Sequence, residues 1–247
     1  MQKIFNFFPL TVYKSTLSLS ENEKNEMIEE VRLMEKKSKN LDYKSAKKAW
    51  TGDTQGFEYL HNNPKFKNLF IQINNCILEY LESLSVNHTK LDLYFQRSWA
   101  TISKKTEHID NHSHDQSHLS IAFYLKKQKD DAKIMFFDTS KHNEFIPQLF
   151  DSRSLAKENI FKKRDILNSS KVVFDTKEDD LLIFPSKTIH GTEQGKSNSE
   201  RISISSDIVF LAKDSSTLEH LVPPVENWKK FSSFTYGKIK FFIANFF

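Results

Sequence analysis

A single cysteine in 247 residues excludes an internal disulfide framework, and that usage fits a reducing compartment. Cys76 lies in an apolar helical stretch, which predicts a buried, inert thiol rather than a nucleophile. Glycine is nearly as scarce, at 5 residues, so most turns must be made by Asn, Asp, Ser and Lys. No apolar run is long enough to cross a bilayer: Phe241–Phe247 is apolar but too short, and is expected to pack on the domain. Met1–Leu10 has a lysine and three Phe but lacks the sustained apolar core of a signal peptide, which points to a cytoplasmic protein. Strong charge of one sign is also missing. A net +4 is too mild to imply nucleic acid, and Lys44, Lys47 and Lys48, like Lys162 and Lys163, read as solvated faces.

What is present is enough for a large core. The chain is 38% hydrophobic with 22 Phe, its 28% charge is ordinary for a globular protein, and its length suits one domain over 1–247. Residues 4–13 read as an opening strand interrupted by Pro9. Ser20 and Glu23 make a capping box for a helix with Met27, Ile28, Val31 and Met34 on one face. Asn63-Pro64 starts a second helix, whose apolar stripe is Phe66, Leu69, Phe70, Ile73, Ile77, Leu81 and Leu84. Between them, Trp50–Phe57 is rich in turn residues.

From Leu91 the pattern changes to strands: Leu91–Ser103, His118–Lys126, Ala132–Phe137, Lys171–Thr176, Asp180–Phe184 and Arg201–Phe210. Helices first and strands after, with no βα alternation, predict an antiparallel sandwich buttressed by helices rather than a Rossmann fold. The division is a helical N-terminal buttress over 1–90, a β core over 91–210 and a C-terminal extension over 211–247. Asn143–Ser170 is a long charged insertion with little strand character, and its length suits a lid.

Chemistry concentrates in two places. Four of nine histidines fall between His108 and His118, in His108-Ile-Asp110-Asn-His112-Ser-His114-Asp115, and His190 follows Phe184-Pro185 downstream. In the strand after the cluster, Leu119, Ile121, Phe123 and Leu125 alternate with Ser120, Ala122 and Tyr124, an apolar face opposite a small or hydroxyl-bearing one. His112, His114 and His118 share the parity of the second set. The last strand alternates likewise, with Arg201, Ser203 and Ser205 opposite Ile202 and Ile204. Imidazoles and a carboxylate on one face suit Fe(II) with open positions for a 2-oxo acid and dioxygen. A planar, permanently charged Arg201 with Ser203 beside it suits the far carboxylate of such an acid. Eleven residues separate His190 from Arg201, about one hairpin, which predicts that their strands pair. His61, His88, His142 and His220 have no partners in pattern and read as structural or surface residues, and Trp99 as core.

The ordered set Ser98-Trp99, His112-x-His114, Leu119-Ser120, Tyr124-Leu125, Asp180-Leu-Leu-Ile-Phe-Pro185, His190 and Arg201-x-Ser203 resembles the Fe(II)/2-oxoglutarate dioxygenase superfamily. More narrowly it is similar to the branch with His-x-His ahead of a Leu-Ser-Gly-Val-Tyr-Tyr strand; Thr51–Gly56 shares that resemblance, whereas Ile121 stands where the branch has glycine. The resemblance implies a mainly β double-stranded β-helix, a cupin-like jelly roll with iron at its mouth. It implies His112, His114 and His190 as metal ligands, with His108 and Asp110 as the alternative because they reproduce the superfamily's His-x-Asp, and Asp115 as another source of a carboxylate. Arg201, Ser203 and Tyr124 would bind 2-oxoglutarate. The implied activity is hydroxylation of a C–H bond in a small-molecule or peptide substrate, with release of succinate and CO2. The alternative is a cupin-like metal-dependent isomerase or binding protein that does not use 2-oxoglutarate.

Overall fold

The computed structural model describes residues 3–39, 47–151, 160–214 and 220–230. The chain opens on strand β1 (Tyr13–Thr16), helix α1 (Glu21–Lys37) and the two-residue strand β2 (Trp50–Thr51), followed by helix α2 (Lys67–Ser83). Seven strands follow: β3 (Leu91–Ser103), β4 (Leu119–Lys126), β5 (Ile134–Phe137), β6 (Lys171–Phe174), β7 (Asp180–Pro185), β8 (His190–Thr192) and β9 (Arg201–Ala212). They form an antiparallel six-stranded sheet in the order β1-β7-β4-β9-β3-β2 and a three-stranded sheet in the order β6-β5-β8. This is the mainly β jelly roll, a double-stranded β-helix with buttressing helices.

Both helices start where their sequences say they should. Ser20 accepts from the Glu23 amide while Glu23 reaches back to the Ser20 amide, which satisfies two otherwise orphaned donors of α1. Asn63 accepts from the Lys65 amide and Pro64 opens a short 3-10 turn that runs into α2. Met27 and Val31 of α1, and Leu69, Phe70, Ile73, Ile77 and Leu81 of α2, are buried in one core with Ile121, Phe123, Ile202 and Ile204 of the large sheet. Cys76 is buried in the same core. Between the sheets, Tyr124, Leu182 and Phe184 meet Ile134 and Phe136 in a second, smaller core. Each large-sheet strand thus keeps one face for the helices and the other for the interior of the roll.

Several expectations need correction. The opening strand is β1 at Tyr13–Thr16; residues 3–12 form no ladder, Phe5, Phe7 and Phe8 are exposed, and Pro9 has no amide to give. Leu84 caps α2 from an exposed position instead of completing its stripe. β2 and β8 are too short to show as periodic runs in the sequence. Arg201 and His190 do not sit on paired strands: β8 pairs with β5 in the small sheet, whereas β9 lies between β4 and β3 in the large one. Residues 193–200 cross from one sheet to the other, so the two side chains approach from opposite walls. Lys44, Phe241–Phe247 and residues 152–159 of the insertion lie outside the described residues.

The alternation on β9 makes a stability prediction. Ile204→Ala should cost about 2–5 kcal/mol, because it leaves a cavity under the helices. Ser205→Ala, on the other face, should cost less than about 1 kcal/mol. Urea midpoints of the two variants measure the difference, and equal losses would mean that the faces are misassigned.

Candidate metal centre

The loop between β3 and β4 is fastened to the small sheet by backbone bonds. The amides and carbonyls of His112 and His190 bond reciprocally at 2.9 Å, a one-residue antiparallel bridge. Two residues away, Thr192 donates its amide to the Ile109 carbonyl at 3.1 Å and accepts the Ile109 amide on its hydroxyl at 2.9 Å. The His114 amide donates to the Ser186 carbonyl at 3.0 Å. Gly191 makes the close approach possible, since a Cβ there would lie 2.5 Å from Asn111 Oδ1 and 3.1 Å from the Ile109 carbonyl oxygen.

This fastening brings three imidazoles together. One ring nitrogen from each of His112, His114 and His190 lies within 4.8 Å of the other two. Ring centroids are 4.4 Å apart for His112 and His190, 4.9 Å for His112 and His114, and 5.4 Å for His114 and His190. The Nδ1 atom of every ring is engaged: His112 with the Asp110 carbonyl at 2.7 Å, His190 with the Thr188 carbonyl at 2.9 Å, and His114 with the Asp207 carboxylate at 2.7 Å. Carbonyl and carboxylate oxygens accept, so Nδ1 carries the proton and Nε2 keeps its lone pair. Burial holds the His190 imidazole down at about 4, and burial also lowers His112. Near neutral pH both rings are therefore neutral, the form that ligates a metal.

The triad opens on a cavity of about 290 Å³ between the sheets. Trp99, Ser120, Tyr124, Arg201 and Ser203 line it. Arg201 is buried, donates from Nη1 to the Ala132 carbonyl at 2.8 Å, and has no partner for its buried Nε. It does not pair with Glu200, which is engaged with Arg32 and Lys126. Tyr124 is also buried, which pushes its phenol up. His108 and Asp110 stand outside the triad and bond each other at 3.1 Å, with Lys48 on Asp110 at 2.6 Å. Asp115 accepts from Ser113, and His118 accepts the Phe210 amide on Nδ1.

Two contributors escaped the reading of the sequence. Asp207 has no exposed side-chain surface and takes contacts from His114, Ser117 and Gln116. Its signal was available, since it continues the parity of Arg201, Ser203 and Ser205 along β9. Trp99 does more than fill the core: its ring stacks on His114 at 5.6 Å and 16°, with the Arg97 guanidinium 5.3 Å above the indole. A second cavity of about 930 Å³ lies beside the triad loop, lined by Asn111, Ile189 and insertion residues that include Phe150 and Arg164.

Comparison with known proteins finds similarity in the part of the chain that holds the site. Residues 97–207, the stretch that carries the triad and Arg201, match the family model described as "Putative 2OG-Fe(II) oxygenase". Over that stretch, from β3 into β9, the chain is similar to the 2OG-Fe(II) oxygenases. Solved structures share the fold. The carbocyclase SnoK from nogalamycin biosynthesis, a non-haem α-ketoglutarate-dependent enzyme, superposes with a TM-score of 0.51 at 12% identity, over 87% of each chain. HygX from Streptomyces hygroscopicus, crystallised with nickel, 2-oxoglutarate and hygromycin B, gives 0.50 at 11% identity, over 81% of this chain and 82% of its own. A Burkholderia pseudomallei 2OG-Fe(II) oxygenase family protein is matched over 57% of its length and 60% of this chain, at 10% identity and a TM-score of 0.42. No curated protein matches the chain.

Gly191→Ala tests the fastening of the histidine loop. The added methyl forces the loop off β8 and should cost about 1–3 kcal/mol. Hydrogen exchange should quicken at the His112 and His190 amides before the sheet core responds; unchanged protection at both would show that the loop tolerates the methyl.

Proposed function

We propose that this protein is a 2OG-Fe(II) oxygenase that binds Fe(II) through His112, His114 and His190, takes 2-oxoglutarate as co-substrate against Arg201, and oxidises a C–H bond of a small-molecule or peptide substrate. The observation that carries the reading is the pairing, in one cavity, of three Nδ1-tethered imidazoles with a buried arginine whose Nε has no partner. Three imidazole nitrogens within 4.8 Å fit a divalent first-row metal, with coordination positions left for other ligands. An unsatisfied guanidinium N–H in a buried site fits a carboxylate acceptor.

When bound, Fe(II) would supply the redox chemistry that links decarboxylation of 2-oxoglutarate by dioxygen to substrate oxidation, with succinate and CO2 as products. The protein's residues orient and exclude. Asp110, Thr188 and Asp207 fix the tautomer and plane of each imidazole, and Trp99 limits rotation of His114. Arg201, with Ser203 and Tyr124 on adjacent strands, sets the direction of the co-substrate by holding its far carboxylate. The apolar wall of Ile134 and Phe184 keeps bulk water from the same space. A cupin-like protein without 2-oxoglutarate gives the unpartnered Arg201 Nε no purpose.

Anaerobic titration with Fe(II), or with Co(II) in its place, tests the ligand set. His190→Ala should abolish binding, since two protein ligands rarely hold a labile divalent ion against water. Asp110→Ala should leave metal bound, because its side chain stands on His108 and Lys48 and only its carbonyl meets His112; full metal content in His190→Ala would sink the assignment. For the co-substrate, Arg201→Ala should weaken 2-oxoglutarate binding to the metal-loaded protein by about 2–5 kcal/mol. Equal affinity in the variant would place the anion elsewhere.

The insertion 143–170 supports a lid. Phe150 is buried and meets the Phe161 ring at 6.0 Å, and Arg164 ties the segment together through the carbonyls of Phe150 and Asn168. Its residues share the second cavity with Asn111 and Ile189, the neighbours of His112 and His190. Deleting the insertion should spare metal and 2-oxoglutarate binding while succinate release becomes uncoupled from substrate oxidation. A deletion variant that cannot take up metal would make the segment structural.

A further inference from the structure

The chemistry above leaves Asp53 without a task, although the fold goes to some length to place it. Two of the chain's five glycines are used in its turn. Trp50–Thr51 joins the edge of the large sheet opposite Ile102 and Thr101, and the chain then turns through Gly52–Gln55. A Cβ at Gly52 would lie 3.2 Å from the Phe57 carbonyl oxygen and 3.4 Å from that of Ala100. Gly56 closes the turn at φ +83°, a conformation that side chains disfavour. The product is a carboxylate in the wall of the triad cavity.

Asp53 is held but not saturated. Its Oδ2 receives Nη2 of Arg97 at 3.1 Å, and Arg97 is itself held over Trp99. Its Oδ1 is buried and has no hydrogen-bond partner. Leaving such an acceptor unpaired is costly, and a ligand donor would remove that cost. Charge narrows the donor. Apart from the histidines, the ionisable acids and bases with charge near neutral pH that line the cavity are Arg201, Asp53 and Asp110. With Arg201 taken by the co-substrate, both charged groups left in the lining are carboxylates, and since Asp110 is held by Lys48 and His108, the open acceptor is Asp53 Oδ1.

We propose that Asp53 is a specificity-determining residue that receives a primary ammonium or guanidinium group of the substrate. This rests on the assignment of Arg201 to 2-oxoglutarate, because an Arg201 left free would make the cavity's preference ambiguous.

A matched pair of probes tests it: Nα-acetyl-L-lysine methylamide, and the norleucine counterpart that replaces the ammonium with a methyl. Both are titrated by saturation-transfer NMR against the full chain loaded with Ni(II) and 2-oxoglutarate, and against metal-free protein. The lysine derivative should bind about tenfold tighter, and Asp53→Asn should remove that preference while Ni(II) uptake and melting temperature hold. Two probes that bind alike to the wild type overturn the proposal, as does a preference that survives Asp53→Asn. A variant that loses Ni(II) uptake makes Asp53 structural and overturns it too. Failure of the wild type to take up Ni(II) or 2-oxoglutarate would instead count against the oxygenase reading itself, and the metal-free titration still reads the preference for the amine.

Discussion

The reciprocal backbone bridge between His112 and His190 is the constraint on which the site depends. It joins a loop that leaves the large sheet to a three-residue strand of the small one, and so fixes two of three imidazoles by main-chain geometry. Backbone pairing sets side-chain direction with little freedom, whereas side chains on an untethered loop must be ordered at an entropic cost. The third imidazole is fixed differently. Asp207 holds its Nδ1 from β9, Trp99 stacks on its face from β3, and the His114 amide is bonded to Ser186 at the end of β7. Strands of both sheets therefore converge on one cluster.

Burial explains why His112 and His190 are pre-formed for a cation instead of carrying protons. Low polarity around His190 and His112 disfavours their charged forms, and each Nδ1 acceptor directs the remaining lone pair inward. Asp207 has no exposed surface, and a buried carboxylate is tolerable only with partners; His114, Ser117 and Gln116 supply them. The cavity continues the same economy of polar groups. Arg201 and Asp53 are each anchored through one polar atom, and each has another that the protein leaves unmatched.

Much of this was legible from alternation. The period of two on β4 and β9 separated Ile121, Phe123, Ile202 and Ile204 from Ser120, Tyr124, Arg201 and Ser203, and the structure puts the first group under the helices. The histidine cluster advertised itself by density. What the sequence could not show was the path of the chain between sheets. Eleven residues from His190 to Arg201 are enough for a hairpin or for a crossover, and only the crossover sets them on opposite walls. The two-residue β2 and three-residue β8 are set by pairing with distant strands, not by their own composition. Asp207 was readable one step further along its strand. Asp53 was not readable from alternation, since turns have no period; its segment Thr51–Gly56 stood out only by resemblance, which gave Asp53 no task.

Succinate formation tests the central claim most directly. Purified protein supplied with Fe(II), ascorbate and 2-oxoglutarate should, on admitting dioxygen, release succinate and CO2 in equal amounts, at a rate that Arg201→Ala and His190→Ala each remove. Intact 2-oxoglutarate in fully metal-loaded wild-type protein, in the presence of dioxygen, would contradict the account.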